Sequence, residues 1–380
     1  MTLPQPQSRG SHPSRCRSIV LLAMVALTVG ACTSSPDRVT APASPQADDI
    51  DGLWTLSLWL GAAVWLVVMT LLAIPILRSR RGTRRSSDAN RAVTRTGRGR
   101  WASPAAMIDE PVTAAEASAQ DEARADERVR ARLLWIGGII GPAIILLLLL
   151  IASGRVAAST AHIERPGELV IEVTGHMFWW EVHYPDHDVT TANEIHVPVD
   201  RPVRLRLHSE DVIHSFWIPR MHGKIDTIPG QENWLSFEPT ETGTFRGACA
   251  EFCGIAHAQM VALLEVQTQE DFDAWIDQQA ADATPPQTPT AEDGARVFIE
   301  AGCAACHVVR GTEAVGGVGP DLTHLASRET LASGIVPNDR EHLEELIVDP
   351  WTVKPGIRMP PTHLDPDELE MLLDYLEGLE

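Results

Sequence analysis

The sequence predicts a membrane-anchored, multidomain chain: a two-helix transmembrane hairpin, a β-sandwich, and then a second metal-binding domain with helical segments. Three observations predict it. Two apolar runs, Leu53 to Leu77 and Leu133 to Ile151, are each long enough to cross a bilayer. Between residues 166 and 268, short apolar strands are separated by Pro/Gly turns, with no convincing helix among them, which is the pattern of a sandwich. Thiols and imidazoles cluster twice, within 249–260 and within 303–307, on either side of a Pro-rich stretch.

The chain has 380 residues, enough for two or three domains, and a formal net charge of −20, which argues against nucleic acid as a partner. Its basic residues are Arg apart from Lys224 and Lys354. Residues 1–31 have the grammar of a secretory signal: Arg9, Arg15 and Arg17, an apolar run from Ile19 to Val29, then small residues. Val29-Gly30-Ala31-Cys32 resembles a bacterial lipobox, which implies Cys32 as a lipidated first mature residue; ordinary cleavage beside an incidental Cys is the alternative. Residues 32–52, rich in Pro, Ser, Ala and Asp, read as a flexible periplasmic tether.

The first span, 53–77, carries Trp54 and Trp59 where an interfacial belt would sit. The second, 133–153, has Gly137, Gly138 and Gly141 placed to permit close helix packing. Nine Arg between Arg78 and Arg100 make the loop 78–132 basic, and the positive-inside rule places it in the cytoplasm. Residues 109–132 read either as a helical extension of the second span or as an irregular loop. Both ends of the mature chain then face outward, in a multi-pass protein of the bacterial cell membrane with its metal domains on the extracytoplasmic side.

In the sandwich, Leu169–Val173 alternates poorly and reads as buried on both faces. Asn193–Val199 and Val203–Ser209 alternate, so one face of each is expected to be wet. Val261–Val266 would be the closing strand. Cys249, Cys253, His257 and Met260 fall at spacings of four, four and three, and His214 lies upstream in Asp211-Val212-Ile213-His214-Ser215-Phe216-Trp217. Soft thiolate and thioether ligands with imidazoles select copper in a thiolate site, zinc or iron–sulfur. Zinc gives a thioether no role, and a single blue copper needs only one Cys. A Cys249–Cys253 disulfide would leave His257 and Met260 unexplained.

The pattern C-x-E-x-C-G-x3-H-x2-M with its upstream D-V-x-H-S-F resembles the CuA loop of cytochrome c oxidase subunit II. The resemblance implies a cupredoxin-like fold for 166–268. It implies a dinuclear copper centre bridged by Cys249 and Cys253, with His214 and His257 as terminal ligands, Met260 as a weak axial ligand and Glu251 binding through its carbonyl. The Glu251 carboxylate would face a magnesium ion at the boundary with subunit I, and Lys224 and Asp226 match a segment at the same boundary. Phe178-Trp179-Trp180 resembles the family's aromatic patch for electron entry, with Phe178 where relatives have Trp. As strand neighbours, Phe178 and Trp180 would share one face and Trp179 take the other.

Residues 269–290 end in Ala-Thr-Pro-Pro-Gln-Thr-Pro-Thr and read as a semi-rigid linker. Cys303-Ala304-Ala305-Cys306-His307 is the c-type haem attachment pattern, in which two thiols form thioethers to the haem and the adjacent His takes the iron. Residues 291–380 resemble an all-α class I cytochrome c domain. That resemblance implies Cys303 and Cys306 as covalent attachments, His307 and Met359 as axial ligands, and the Pro320 carbonyl as hydrogen-bond partner of His307. His324, His342, His363 and Met371 are the rivals for the sixth position. Taken together, the two motifs resemble subunit II of a caa-type haem–copper oxidase with a fused cytochrome c. The resemblance implies that electrons pass from haem c to CuA and on to haem a of subunit I, where oxygen is reduced with proton pumping. Subunits I and III, and an upstream cytochrome c or cytochrome bc complex, are the implied partners. A nitrous oxide reductase would need a large His-rich propeller, which this sequence lacks. A copper store or chaperone would have no use for Cys303–His307.

Overall fold

The computed structural model describes residues 40–93, 114–161 and 165–380. Cys32 lies outside the described residues, as does the middle of the basic loop. The described residues divide into two compact units, one within 45–165 and one of residues 40–44 with 166–380.

The first unit is helical. Helix α1 spans Pro45–Val93, and α2 (Ala114–Trp135) continues through a π-helical turn, Ile136–Ile140, into α3 (Gly141–Thr160). The stretches Pro45–Ile76 and Gln120–Thr160 are long and apolar enough to cross a membrane, and the most apolar window of each is left exposed. Leu58, Leu66, Ile144 and Leu150 are among the side chains left exposed, as lipid-facing residues would be. The hydroxyls of Ser57 and Thr70 donate to the carbonyls of Leu53 and Leu66 one turn back (2.8 and 2.7 Å), so neither is an unmet polar group in an apolar helix. Of the two readings of residues 109–132, the helical one holds from residue 114 onward. Gly137 and Gly138 lie in the π turn with open space beyond their Cα atoms.

The second unit begins with two five-stranded sheets packed as a sandwich. One sheet has the order β3-β2-β1-β5-β8: β1 is Leu169–His176, β2 Trp179–Tyr184, β3 Val189–Ala192, β5 Val203–Ser209 and β8 Asn233–Phe237. The other runs β4-β10-β9-β6-β7: β4 is Glu194–Pro198, β6 His214–Trp217, β7 Ile225–Thr227, β9 Gly243–Cys249 and β10 Val261–Gln267. Strand β1 does alternate, contrary to expectation. Leu169, Ile171 and Val173 enter the core, while Glu172 points outward to Arg206, its neighbour in the parallel register with β5 (2.6 Å). Strand β5 alternates as expected, with Val203, Leu205 and Leu207 inward.

Strand β4 has no wet face, and the cause is an element the composition concealed. Residues expected to begin the linker form helix α4, Gln269–Ala280, capped by the Thr268 side chain on the Asp271 amide. Phe272 and Ile276 join the sandwich core, and Trp275 stacks on His196 of β4 at 4.0 Å. Only residues 281–288 separate α4 from the next helix. The end of the tether is likewise held. Ala43 enters the same core, its amide donates to the Arg220 carbonyl (2.8 Å), and its carbonyl accepts from Thr240 (2.9 Å).

The C-terminal part is helical: α5 (Pro289–Glu300), α6 (Arg340–Val348), the short α7 (Pro350–Val353) and α8 (Pro366–Leu376), with a two-residue ladder between Thr330–Leu331 and Val336–Pro337. Helices α5 and α8 cross at Gly294, where a Cβ would overlap the Met371 carbonyl. Val297, Phe298, Leu372, Leu373 and Leu376 fill the core around that crossing.

Candidate metal centres

Strand register assembles the first centre. Strand β6 pairs with β9 so that Phe216 sits opposite Cys249, which brings His214 to the same end. The loop 250–260 is closed at its base by the Cys249 amide on the Met260 carbonyl (2.9 Å) and is tied to β6 by the Ala250 amide on the Ser215 carbonyl (2.8 Å). Five contacts then gather six residues. Cys249 Sγ lies 4.0 Å from His214 Nδ1, 3.2 Å from the Glu251 carbonyl oxygen and 3.9 Å from Cys253 Sγ; Cys253 Sγ lies 3.7 Å from His257 Nδ1 and 3.9 Å from Met260 Sδ. Both cysteines are free thiols, buried and side by side. No disulfide joins them, and six donors, the two sulfurs included, are more than a closed zinc site uses.

The residues that hold these donors were not singled out from the sequence. Asp211 Oδ1 is 2.9 Å from His214 Nε2, which leaves Nδ1 turned toward Cys249. Burial alone would raise the Asp211 carboxyl, but hydrogen bonds from His214 and from the amides of Met177 (2.8 Å) and Val212 (2.7 Å) outweigh it and hold it below the usual range. Desolvation would lower His214; its hydrogen bonds to Cys249 and Asp211 win, so its pKa is raised. The signal available in the sequence was a carboxylate three residues before the His. Gly175 is the other support. A Cβ there would lie 2.8 Å from the His214 ring, so only glycine lets the imidazole seat. The hydrogen bond between the two thiols pushes Cys249 well down and Cys253 up. The pair gives up one proton readily and holds the second, which a metal cation bridging both sulfurs would displace.

The aromatic run does not form an open patch. Trp180 is fully buried, edge-on to His214 (5.8 Å) and Phe216 (5.1 Å). Trp179 is half-buried and stacks on His176 at 4.4 Å. Phe178 precedes the strand, so strand alternation does not govern it, and it is buried against Gly254 of the loop. The Glu251 side chain, Lys224 and Asp226 are exposed.

In the second centre, His307 Nδ1–H donates to the Pro320 carbonyl at 2.7 Å and leaves Nε2 free. Burial lowers the His307 pKa against that hydrogen bond, so the ring is a neutral donor at neutral pH. A Cβ at Gly319 would lie 2.6 Å from the same ring. Cys303, Leu322, Met359 and Leu364 sit half-buried at the edge of the helical core, and Val315 and Val318 are exposed beside it. A flat apolar group bound at Cys303 and Cys306 fits such a border. Among the rivals to Met359, His324 is taken: it is buried, with Nε2 facing the Ala281 carbonyl (3.1 Å) and Arg310 (3.3 Å). Met371 lies at the α5–α8 crossing.

Residues 188–267 match the family described as cytochrome c oxidase subunit II, periplasmic domain, and residues 291–380 match the cytochrome c family. Cytochrome c oxidase subunit 2 of Bacillus subtilis is 32% identical over 239 residues, which are 59% of this chain and 67% of that protein. The chain belongs to the cytochrome c oxidase subunit II family. The subunit 2 of Alkalihalophilus pseudofirmus is 39% identical over 211 residues, 55% of this chain. The chain spans about three fifths of the length of that protein and of its Bacillus sp. counterpart (61% and 62%). Among solved structures, the periplasmic domain of subunit II of cytochrome oxidase of Bradyrhizobium japonicum is 32% identical, covering 31% of this chain and 96% of that one at a TM-score of 0.30. The subunit II sandwich and its cytochrome c domain together imply copper and haem c as the bound groups.

Proposed function

We propose that this chain is the electron-input subunit of a respiratory haem–copper oxidase, a cytochrome-c oxidase of the caa type. The observation that carries the proposal is the pair of free thiols at 3.9 Å with two imidazoles, a thioether and a carbonyl around them, in the same unit as a haem-attachment motif. Cys249 and Cys253 would bridge a dinuclear copper centre, His214 and His257 would terminate it, and Met260 and the Glu251 carbonyl would complete it. Cys303 and Cys306 would hold haem c, with His307 and Met359 on its iron. When bound, these groups would supply one-electron carriers, for a relay from haem c to the copper pair and on to haem a of subunit I, where oxygen would be reduced to water with proton pumping.

The chain's own contribution is placement. Asp211 fixes the His214 ring, Gly175 gives it room, and Pro320 fixes His307. His/Met ligation of iron raises the potential and suits transfer rather than oxygen chemistry. The exposed Glu251 carboxylate is free to hold magnesium at a boundary with subunit I. Subunit III and an upstream cytochrome c or cytochrome bc complex complete the proposed assembly, anchored through α1 and α3 with both metal domains outside the cytoplasm.

Metal analysis with near-infrared spectroscopy tests the proposal. The purified chain should hold two coppers and one haem. Cys249→Ser and Cys253→Ser should each abolish the mixed-valence copper spectrum while leaving haem c attached, because a hydroxyl is a poor copper bridge. One zinc and no copper in a fully loaded sample would sink the reading.

A further inference from the structure

The helical domain is seated on the sandwich by a lysine. Lys354 follows the short helix α7 and is 1% exposed, one of only two lysines in the chain. Its Nζ donates to three acceptors: the Phe178 carbonyl (2.6 Å), the Ala332 carbonyl (3.0 Å) and Ser333 Oγ (2.9 Å). The Ser333 hydroxyl in turn donates to the same Phe178 carbonyl (3.0 Å). Ala332 and Ser333 both have left-handed backbones (φ 52° and 64°), a tight turn that aims these groups at one point. Desolvation opposes a buried amine and pushes its pKa down to about 7.

Both sides of this contact lead to a metal centre. On the sandwich side, the Phe178 ring packs on Gly254, the neighbour of Cys253; a Cβ at Gly254 would lie 2.9 Å from the ring. On the helical side, Lys354 is five residues before Met359. Between them, Gly356 abuts the copper loop, where a Cβ would lie 2.8 Å from Ile255 Cγ2. Arg358 Nη1 lies 3.7 Å from Asp211 Oδ2, on the carboxylate that orients His214. Farther off, buried Glu194 of β4 accepts from the amides of Glu329 (3.1 Å) and Thr330 (2.9 Å).

Resting on the relay proposed above, we infer that Lys354 is a positioning residue that pins segment 354–359 against the copper loop and so sets the gap between haem c and the copper pair. Phe178 is then an internal contact of this junction and not a landing site for a soluble donor. The step served is a one-electron transfer with no bond made or broken: ferrous haem is oxidised and the oxidised copper pair is reduced.

The test uses the intact oxidase with Lys354→Met, which keeps the bulk and removes the three donors. Two readouts are needed: hydrogen exchange at the Glu329 and Thr330 amides, and the haem c to copper transfer rate after flash photoreduction. Haem and copper spectra should be unchanged and exchange in α5 and α8 unaltered. Exchange at Glu329 and Thr330 should rise, and transfer should slow by at least about tenfold, because the hydrogen bond to the Phe178 carbonyl, the one of the three that crosses to the sandwich, is lost from the docked state alone. Should the Met variant lose its haem, Ser333→Ala decides in the same direction with a smaller effect. Unchanged exchange and rate with intact spectra would overturn the inference. Absence of haem-to-copper transfer in the parent would instead sink the relay, and the exchange readout would still judge Lys354.

Discussion

Asp211 stands at the meeting of several interactions. It accepts from the Met177 and Val212 amides, holds His214 Nε2, and lies near Arg358. Groups that orient a metal ligand from behind commonly change metal affinity by ~10- to 100-fold when altered. Asp211→Asn keeps the size and removes the charge. Copper affinity should fall by about tenfold or more in chelator competition, with the haem c absorbance untouched. An affinity equal to the parent's would show that backbone and packing alone hold the ring. The carboxylate could be read in the sequence, three residues before the imidazole. Its role could not, because Met177 and Arg358 reach it from remote parts of the chain.

Among the elements, the crossing of α5 and α8 makes the sharpest prediction. In an open helix, Gly→Ala stabilises by up to ~1 kcal/mol. At Gly294 the added Cβ would run into the Met371 backbone carbonyl, with the Tyr375 Cβ close behind (2.9 Å), and neither can turn aside. The two helices must part around Phe298 and Leu372, so Gly294→Ala should destabilise this domain by roughly 1–3 kcal/mol. Thermal unfolding followed at the haem band would register it, and a raised melting temperature would refute the crossing. Helix α4 carries the opposite lesson. Its residues Gln269–Ala280 looked like the start of a spacer because the Pro-rich tail dominated the composition, yet Phe272, Trp275 and Ile276 fall at helical spacing and cover β4. The expected tether and linker are both shorter than their composition suggested, since a polar, small-residue stretch can still pair its backbone with a neighbour, as Ala43 does.

For the second unit, the question is whether the cytochrome domain hangs from a linker or sits on the sandwich. Arg310 of the helical domain binds the carbonyls of Gln279 and Ala281 at the end of α4, where a cation complements the unpaired carbonyls of a helix terminus. Together with the Glu194 and Lys354 contacts, this seats the domain on the sandwich by direct hydrogen bonds. A chain ending near residue 285 retains α4 and should still insert, load copper and support oxidase assembly. It should lose most turnover with its native donor. Turnover should partly return with a high concentration of soluble cytochrome c, because removal of the domain uncovers the face of the copper loop that Gly356 abuts at Ile255. Oxygen uptake by the truncated and full-length complexes measures this; equal rates at low donor concentration would mean that electrons reach the copper centre without the fused domain.

Chemistry written in short spacings was determined by the sequence alone. Cys249 to Met260 and Cys303 to His307 each place their donors within one loop, so local geometry already limits what they can bind. The two apolar runs likewise declare themselves by length. The sandwich was legible from strand and turn patterns, although β1 and β4 had their burial misjudged, because burial depends on which element lies opposite. Tertiary structure alone decided which residues support the donors. Asp211, Gly175 and Lys354 act on partners 3, 39 and 176 positions away, and only the last two separations required the fold to close. The same holds for Phe178. The resemblance to an aromatic patch places it on a surface, while its ring is buried against Gly254 of the copper loop, since a residue's exposure belongs to its neighbours in space.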